Sequence, residues 1–349
     1  MINKKKFVWI IISVVLAVLT IITVLSQAED MSIESMKEVL RNADFRWIVA
    51  AVAAMLGFIF FEGEAIRSIL RSLGYRRGAG SGLLFASADV YFSAITPSAS
   101  GGQPASAYFM MKSNIPGPIT TAVLILNLIM YTMAIITIGF ICIITAPHIF
   151  TNFSFLSKIL IAAGYIILIV LLVIFITLLT RAEILEGICI KVINLGGKLR
   201  LVRRHEHFIE VLRSKMSDYA ECVTQLKGNY RAIICSYFWN LAQRISQICV
   251  SVFIYMALGG KIERAYDIWV TQSMVAIGSN CVPIPGGMGV ADYLMLDGFK
   301  GIMDRASAFQ LELFSRSLSF YVCILISAVV VIIGYIIIKK KDKREMEKC

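Results

Sequence analysis

The sequence predicts an all-α polytopic membrane protein, with about six long transmembrane helices and two oppositely oriented re-entrant or broken-helix hairpins forming an inverted repeat. Three observations carry that prediction. The 349 residues are 58% hydrophobic before the 24 glycines are counted, against roughly 45–50% with glycine included in ordinary globular domains. The apolar residues come in runs of about twenty, the length a bilayer demands. Two shorter apolar regions are interrupted by proline and glycine at corresponding places. With only 16% charged residues, no stretch remains from which a large soluble enzyme domain would be built.

The first apolar run, about 7–25, follows Lys4-Lys5-Lys6 and precedes Ser26-Gln27-Ala28, a small-x-small pattern that a signal peptidase would accept. The run exceeds the usual core of a signal peptide, about 7–15 residues, so an uncleaved first span is the expectation. Further long spans are expected at about 47–61, 119–147, 155–180, 231–258 and 308–338. The broken regions fall at about 81–112 and 267–303.

The net charge of +11 would point to nucleic acid in a soluble protein, but in a membrane protein it reports orientation. Basic residues gather at the N-terminus, at Arg67, Arg71, Arg76 and Arg77, in 181–231 with ten Lys or Arg against six acids, and in the C-terminal KKKDKREMEK. The loop 26–46 is net negative. All the basic clusters face one side, the cytoplasm, if 81–112 enters and leaves from inside and 267–303 from outside; two short spans in place of each hairpin give the same parity. Both termini are then cytoplasmic, in a bacterial inner membrane. No direct nucleic-acid binding is expected.

The organisation expected is one membrane domain over 1–349, with a first half-repeat at 47–147, a basic amphipathic loop at 181–230, a second half-repeat at 231–338 and a basic tail at 339–349. TPSASGGQPASAY (96–108) and CVPIPGGMGVADY (281–293) both carry a proline, a Gly-Gly pair, and a tyrosine seven residues after the first glycine. Inverted repeats with broken helices at matched positions mark transporter-type sites near the bilayer midplane. Glycine pairs also serve close helix packing. Two matched pairs beside Pro97, Pro104, Pro283 and Pro285 favour a site, since freed backbone groups must be buried in protein or line a wet cavity.

Polar groups within the apolar runs are the other candidates, because each costs roughly 2.5–3.5 kcal/mol at mid-bilayer if ionisable. Asn240, Arg244 and Gln247 share one helix face, and Glu312 and Arg316 are spaced i, i+4. The candidate headgroup or translocation residues are Asp89, Ser98, Ser100, Gly101, Gly102, Gln103, Asn240, Arg244, Asn280, Pro283, Pro285, Gly286, Gly287, Asp292, Glu312 and Arg316. Arginine at Arg244 and Arg316 suits a phosphate. The alternative is that Arg244 pairs with Glu312 or Asp292 and locks the bundle. Glu62, Glu64 and Arg67 read as the cytoplasmic end of the 47–61 span. Between spans, Phe208, Leu212, Met216, Tyr219, Val223 and Leu226 recur at helical spacing, so a helix there lies on the anionic leaflet or packs on the bundle.

Eight cysteines without paired spacing read as small hydrophobes. With His148, His205 and His207 they make no ligand set, so no metal or other cofactor is expected.

The segments ADVYFSAITPSASGGQPASAYFMMK, SNCVPIPGGMGVADY and FEGEAIRSILRSLG resemble the membrane region of lysylphosphatidylglycerol synthases, the flippase-like family, and the likeness runs over about 7–338. Gln103-Pro104 departs from the acidic and basic residues that follow the first glycine pair in many relatives. The resemblance implies a membrane domain that moves phosphatidylglycerol or lysyl-phosphatidylglycerol between leaflets, conferring resistance to cationic antimicrobial peptides. In full-length relatives it also implies a soluble domain that transfers lysine from lysyl-tRNA to phosphatidylglycerol. The longest loop here, about fifty residues, and the short tail offer no room for that domain. A separate synthase domain or protein is then a partner to consider, as is a second copy of the chain. Three readings stay open: a lipid flippase, a phosphatidylglycerol lysyltransferase, and a small-solute transporter.

Overall fold

Backbone groups in hydrocarbon must be hydrogen-bonded within their own segment, so the long apolar runs of this chain become helices. In the computed structural model, which describes residues 41–96, 100–198, 205–280 and 289–346, four helices are long and apolar enough to cross a membrane: Phe45–Ser72, Gly117–Thr145, Phe155–Thr180 and the continuous stretch Arg305–Lys340. The expected first span, about 7–25, lies outside the described residues.

In chain order, α1 is Phe45–Ser72, α2 Ala79–Ile95, α3 Gly102–Lys112, α4 Gly117–Thr145, α5 Pro147–Asn152, α6 Phe155–Thr180 and α7 Ala182–Lys198. They are followed by α8 at His205–Gly228, α9 at Tyr230–Ala257, α10 at Ala265–Ser279, α11 at Val290–Phe299, α12 at Arg305–Arg316 and α13 at Cys323–Met346. A π-helical turn, Ser317–Val322, joins α12 to α13. Side-chain caps begin several of them: Asp44 accepts from Arg46 N (2.9 Å), Asn229 from Ala232 N (3.2 Å), and Asp304 from Ala306 N and Ser307 N (both 3.1 Å). Pro118 stands in the first turn of α4, where its missing N–H costs nothing.

α1 does not stop at residue 61. It continues to Ser72, so Glu62 lies inside the helix and is buried rather than closing it at a membrane surface. α9 has the expected place and is 28 residues long. A stripe of Ser236, Asn240, Gln243, Arg244, Gln247 and Ser251 lowers its hydropathy below that of the four apolar spans.

The two broken regions form helix pairs, α2 with α3 and α10 with α11, each flanked by long helices: α1 and α4 for the first, α9 and α12–α13 for the second. At 1.5 Å per residue none of the four legs, of 17, 11, 15 and 10 residues, reaches the ~30 Å of a hydrocarbon core. That favours re-entrant hairpins over pairs of short spans. α2 ends at Ile95 because Thr96 is extended and Pro97 follows it. Thr96 Oγ1 then accepts from Gly101 N at 2.8 Å, drawing the second leg back.

Missing side chains seat both hairpins. A Cβ on Gly63 of α1 would lie 2.7 Å from the carbonyl carbon of Gly82 in α2. A Cβ on Gly164 of α6 would fall on the Ile277 carbonyl of α10. Polar contacts add to the second seat: Asp297 of α11 accepts Ser154 N (2.8 Å) and Ser157 Oγ (2.7 Å) at the start of α6. Lys300 donates to the other Asp297 oxygen at 2.5 Å.

The basic segment 181–230 folds as α7 and α8, joined by the Arg213–Glu186 pair at 3.4 Å. Of the two placements expected for its amphipathic helix, α8 takes the bundle: Tyr219, Cys222, Val223 and Leu226 are buried in one cluster with Val123 and Leu126 of α4. Tyr219 donates to Leu178 O at 3.0 Å, and burial pushes its hydroxyl up to about 12, so it stays a donor across the physiological range.

Two stability predictions follow from these seats. Gly164→Ala should cost about 1–3 kcal/mol and lower the melting temperature in detergent by several degrees. Gly187→Ala, inside α7 with a Cβ that meets nothing within 4 Å, should instead hold or slightly raise it. Asp297→Ala should cost about 1–3 kcal/mol by leaving the α6 terminus unpaired, read in the same melting assay.

Candidate functional site

Where the two hairpins meet α1, α4, α9 and the α12–α13 helix, the bundle encloses a cavity of about 620 Å³. Its walls mix Phe58, Leu128, Ile135 and Ile248 with Glu62, Asp89, Gln103, Asn127, Tyr131, Gln243, Arg244, Gln247, Gln272, Asn280 and Arg316. This is the combination expected of a ligand site, an apolar shell with a few convergent polar groups.

Arg244 is the central cation. It is 7% exposed, its guanidinium lies 3.9 Å from the centre of the Tyr131 ring and 5.4 Å from that of Phe58, and Nη1 donates to Gln247 Oε1 at 2.6 Å. The aromatic faces hold the charge without consuming its donors. Nε has no hydrogen-bond partner. Around it, Gln243 Nε2 donates to Glu62 at 2.9 Å and Gln103 Nε2 to Asp89 at 2.8 Å. Ser93 donates to the other Asp89 oxygen at 3.2 Å. Glu62, Asp89 and Arg244 all line the same cavity. Gly102 makes this possible, because a Cβ there would collide with the Asp89 carboxylate and the Ser93 hydroxyl.

A second cluster adjoins the cavity at the other hairpin. Arg316 Nε lies 2.7 Å from Asp292 and 3.5 Å from Glu312. Asp292 also accepts Gly289 N at 2.8 Å, where Gly289 sits at φ +80° and begins α11. Arg316 lines the cavity, with Asp292 and Glu312 behind it.

Several buried amide oxygens have no protein partner: Oε1 of Gln103, Gln243 and Gln272. Such groups in an apolar bundle call for water or a polar ligand.

Of the residues singled out in the sequence, Asp89, Gln103, Arg244, Asn280 and Arg316 line the cavity. Asn280 ends α10, donating to Ala276 O at 2.6 Å. Asn240 stands behind the wall, fully buried, and holds Asn127 Oδ1 at 3.0 Å. Ser100, Gly101 and Gly102 sit at the start of α3. Ser98, Pro283, Pro285, Gly286 and Gly287 lie outside the described residues. The lock considered for Arg244 is not built as expected: Asp292 and Glu312 pair with Arg316. Asp89 is on the first leg of its hairpin and Asp292 on the second leg of its own. Glu62, Asn127, Tyr131, Gln243 and Gln272 were not among the expected residues. Asn127 and Tyr131, spaced i, i+4 on an apolar run, were the readable trace of that wall.

Comparison with curated proteins and with solved structures finds no match. A family model does match, that of the lysylphosphatidylglycerol synthase TM region, over residues 10–327. This stretch takes in both hairpins, every polar residue of the cavity, three of the four spans and the first part of the fourth, and the chain therefore belongs to the lysylphosphatidylglycerol synthase transmembrane-region family.

Proposed function

We propose that this protein binds a phospholipid, lysyl-phosphatidylglycerol or a close relative, with its headgroup in the central cavity, and carries that headgroup between leaflets of a bacterial inner membrane. The observation that supports the reading most is Arg244: a guanidinium buried in an apolar bundle, backed by aromatic rings, with an unpartnered N–H beside a 620 Å³ cavity. Guanidinium geometry suits a phosphodiester, and the unpaired amide oxygens nearby suit the ammonium and hydroxyl groups of a lysyl-glycerol headgroup. The apolar part of the wall suits the first carbons of the acyl chains.

In this reading 47–147 and 231–338 are the two half-repeats, both termini are cytoplasmic, and movement of either hairpin against its long flanking helices opens the cavity to one leaflet at a time. Outer-leaflet cationic lipid would then repel cationic peptides.

Arg244→Ala should slow headgroup movement in proteoliposomes at least tenfold, the loss of one charge-assisted contact worth about 1.5–3 kcal/mol. Arg244→Lys should restore it only in part. Fluorescent headgroup-labelled phosphatidylglycerol with an outside quencher reads the rate, and size-exclusion elution checks the fold. A rate equal to wild type in Arg244→Ala removes the reading.

Expression of the chain with and without a soluble lysyl-transferase domain separates the activities. The expected result is no lysyl-phosphatidylglycerol from the chain alone, and a rise in its outer-leaflet share when both are present. Lysyl-phosphatidylglycerol made by the chain alone would assign it the transferase activity instead.

A further inference from the structure

Two glutamines on the cavity wall are oriented in the same way. Gln243 Nε2 donates to Glu62 at 2.9 Å, and Gln103 Nε2 donates to Asp89 at 2.8 Å. A carboxylate only accepts hydrogen bonds, so each acid takes the amino end of its amide and leaves the carbonyl end on the other side. Turning either amide over would set oxygen against oxygen. In both glutamines the Oε1 left over is buried and has no partner among the described residues. Gln243 is itself only 1% exposed. The two arrangements come from separate parts of the fold, α1 with α9 and α2 with α3, and all four residues line one cavity. Gln272 of α10 brings a third unpartnered Oε1 to that wall from the other hairpin.

We propose that Gln103 and Gln243 set the substrate class of the cavity, with Glu62 and Asp89 as the residues that position them: phosphodiester headgroups bearing hydroxyl or ammonium hydrogens are taken, and headgroups without such hydrogens are refused. This rests on the lipid reading above. Arg244 attracts the phosphate of any phospholipid, so it gives affinity without sorting one headgroup from another. The amide oxygens do the sorting, because a ligand must offer them hydrogens.

The energetic reason lies in what happens to water. A headgroup entering the cavity displaces whatever water would otherwise satisfy these oxygens. If it carries O–H or N–H groups it replaces the lost hydrogen bonds; if it carries none, buried acceptors are left unpaired at the full desolvation cost. Sites built to hydrogen-bond a substrate group reject the analogue lacking it far more strongly than an apolar pocket rejects an added hydroxyl. The acids make the rejection firm, since an amide held by a carboxylate cannot turn its own hydrogens toward an acceptor in the ligand.

The test is calorimetric titration of purified full-length protein in detergent with two short-chain lipids. One is dihexanoyl phosphatidylglycerol; the other is dihexanoyl phosphatidylpropanol, which has the same phosphate charge and slightly less bulk but neither hydroxyl. The propanol lipid should bind at least about tenfold more weakly, the loss of one hydrogen bond to a buried acceptor. Exclusion by size would give the opposite order. Gln103→Met and Gln243→Met, close to glutamine in volume but without the acceptor, should each weaken phosphatidylglycerol binding and leave that of the propanol lipid nearly unchanged, so that the ratio narrows. Equal binding of the two lipids by wild type overturns the sorting by hydrogens and leaves the lipid reading intact. A wild-type ratio kept by both variants overturns the assignment to these glutamines. Absence of binding by either lipid overturns both proposals. The wild-type comparison stands alone if a variant does not fold.

Discussion

Hydrocarbon supplies neither hydrogen bonds nor screening, and the interior of this bundle is arranged around that lack. Arg244 cannot be left in it bare. The rings of Tyr131 and Phe58 and the amide of Gln247 hold it, and the acids Glu62 and Asp89 line the same cavity. Remove that cation and two acids lose their countercharge; remove the acids and the cation is stranded. The polar residues of α1, α2, α4 and α9 are thus one interdependent set, although they come from distant parts of the chain.

Glycine does for the backbone what this set does for charge. Gly63 and Gly164 let the hairpin helices approach the long helices to distances that any side chain would prevent, and Gly102 clears room for the Asp89 carboxylate. Close packing of this kind replaces the hydrophobic effect as the force between helices once all surroundings are apolar. The hairpins are therefore held by shape, with Asp297 adding a polar latch at the second one. A short leg held at a few points by shape is a better candidate for a moving part than a full span.

Much of this was legible in the sequence. The apolar runs, the basic loops and the paired Gly-Gly interruptions are local features, and the helices at 117–145 and 155–180 fall close to where the unbroken apolar runs placed them. Arg244 was readable because a charge in an apolar run is conspicuous. Glu62 was not, since an acid near the apparent end of a run looks like an end, and only the continuation of α1 to Ser72 puts it inside. Which acid meets which arginine was half legible: the i, i+4 spacing already set Glu312 beside Arg316, but that Asp292 joins them from the neighbouring hairpin is a choice made by packing. The two placements of α8 were equally compatible with its stripe, and the burial of Tyr219 and Val223 decides between them.

The π-helical turn at Ser317–Val322 has a consequence for how the last long helix works. A π turn holds one residue more than the α-helical count, so the helix beyond it is rotated by about a residue's worth, some 100°, relative to an uninterrupted helix. The segment bearing Glu312 and Arg316 and the segment beginning at Cys323 are therefore set out of phase with each other. Ser315, Arg316, Ser319, Phe320 and Cys323 all reach the cavity despite that break. Passing the extra residue along the helix would turn one segment against the other like a collar on a shaft, changing which side chains the cavity sees while the helix ends stay where they are.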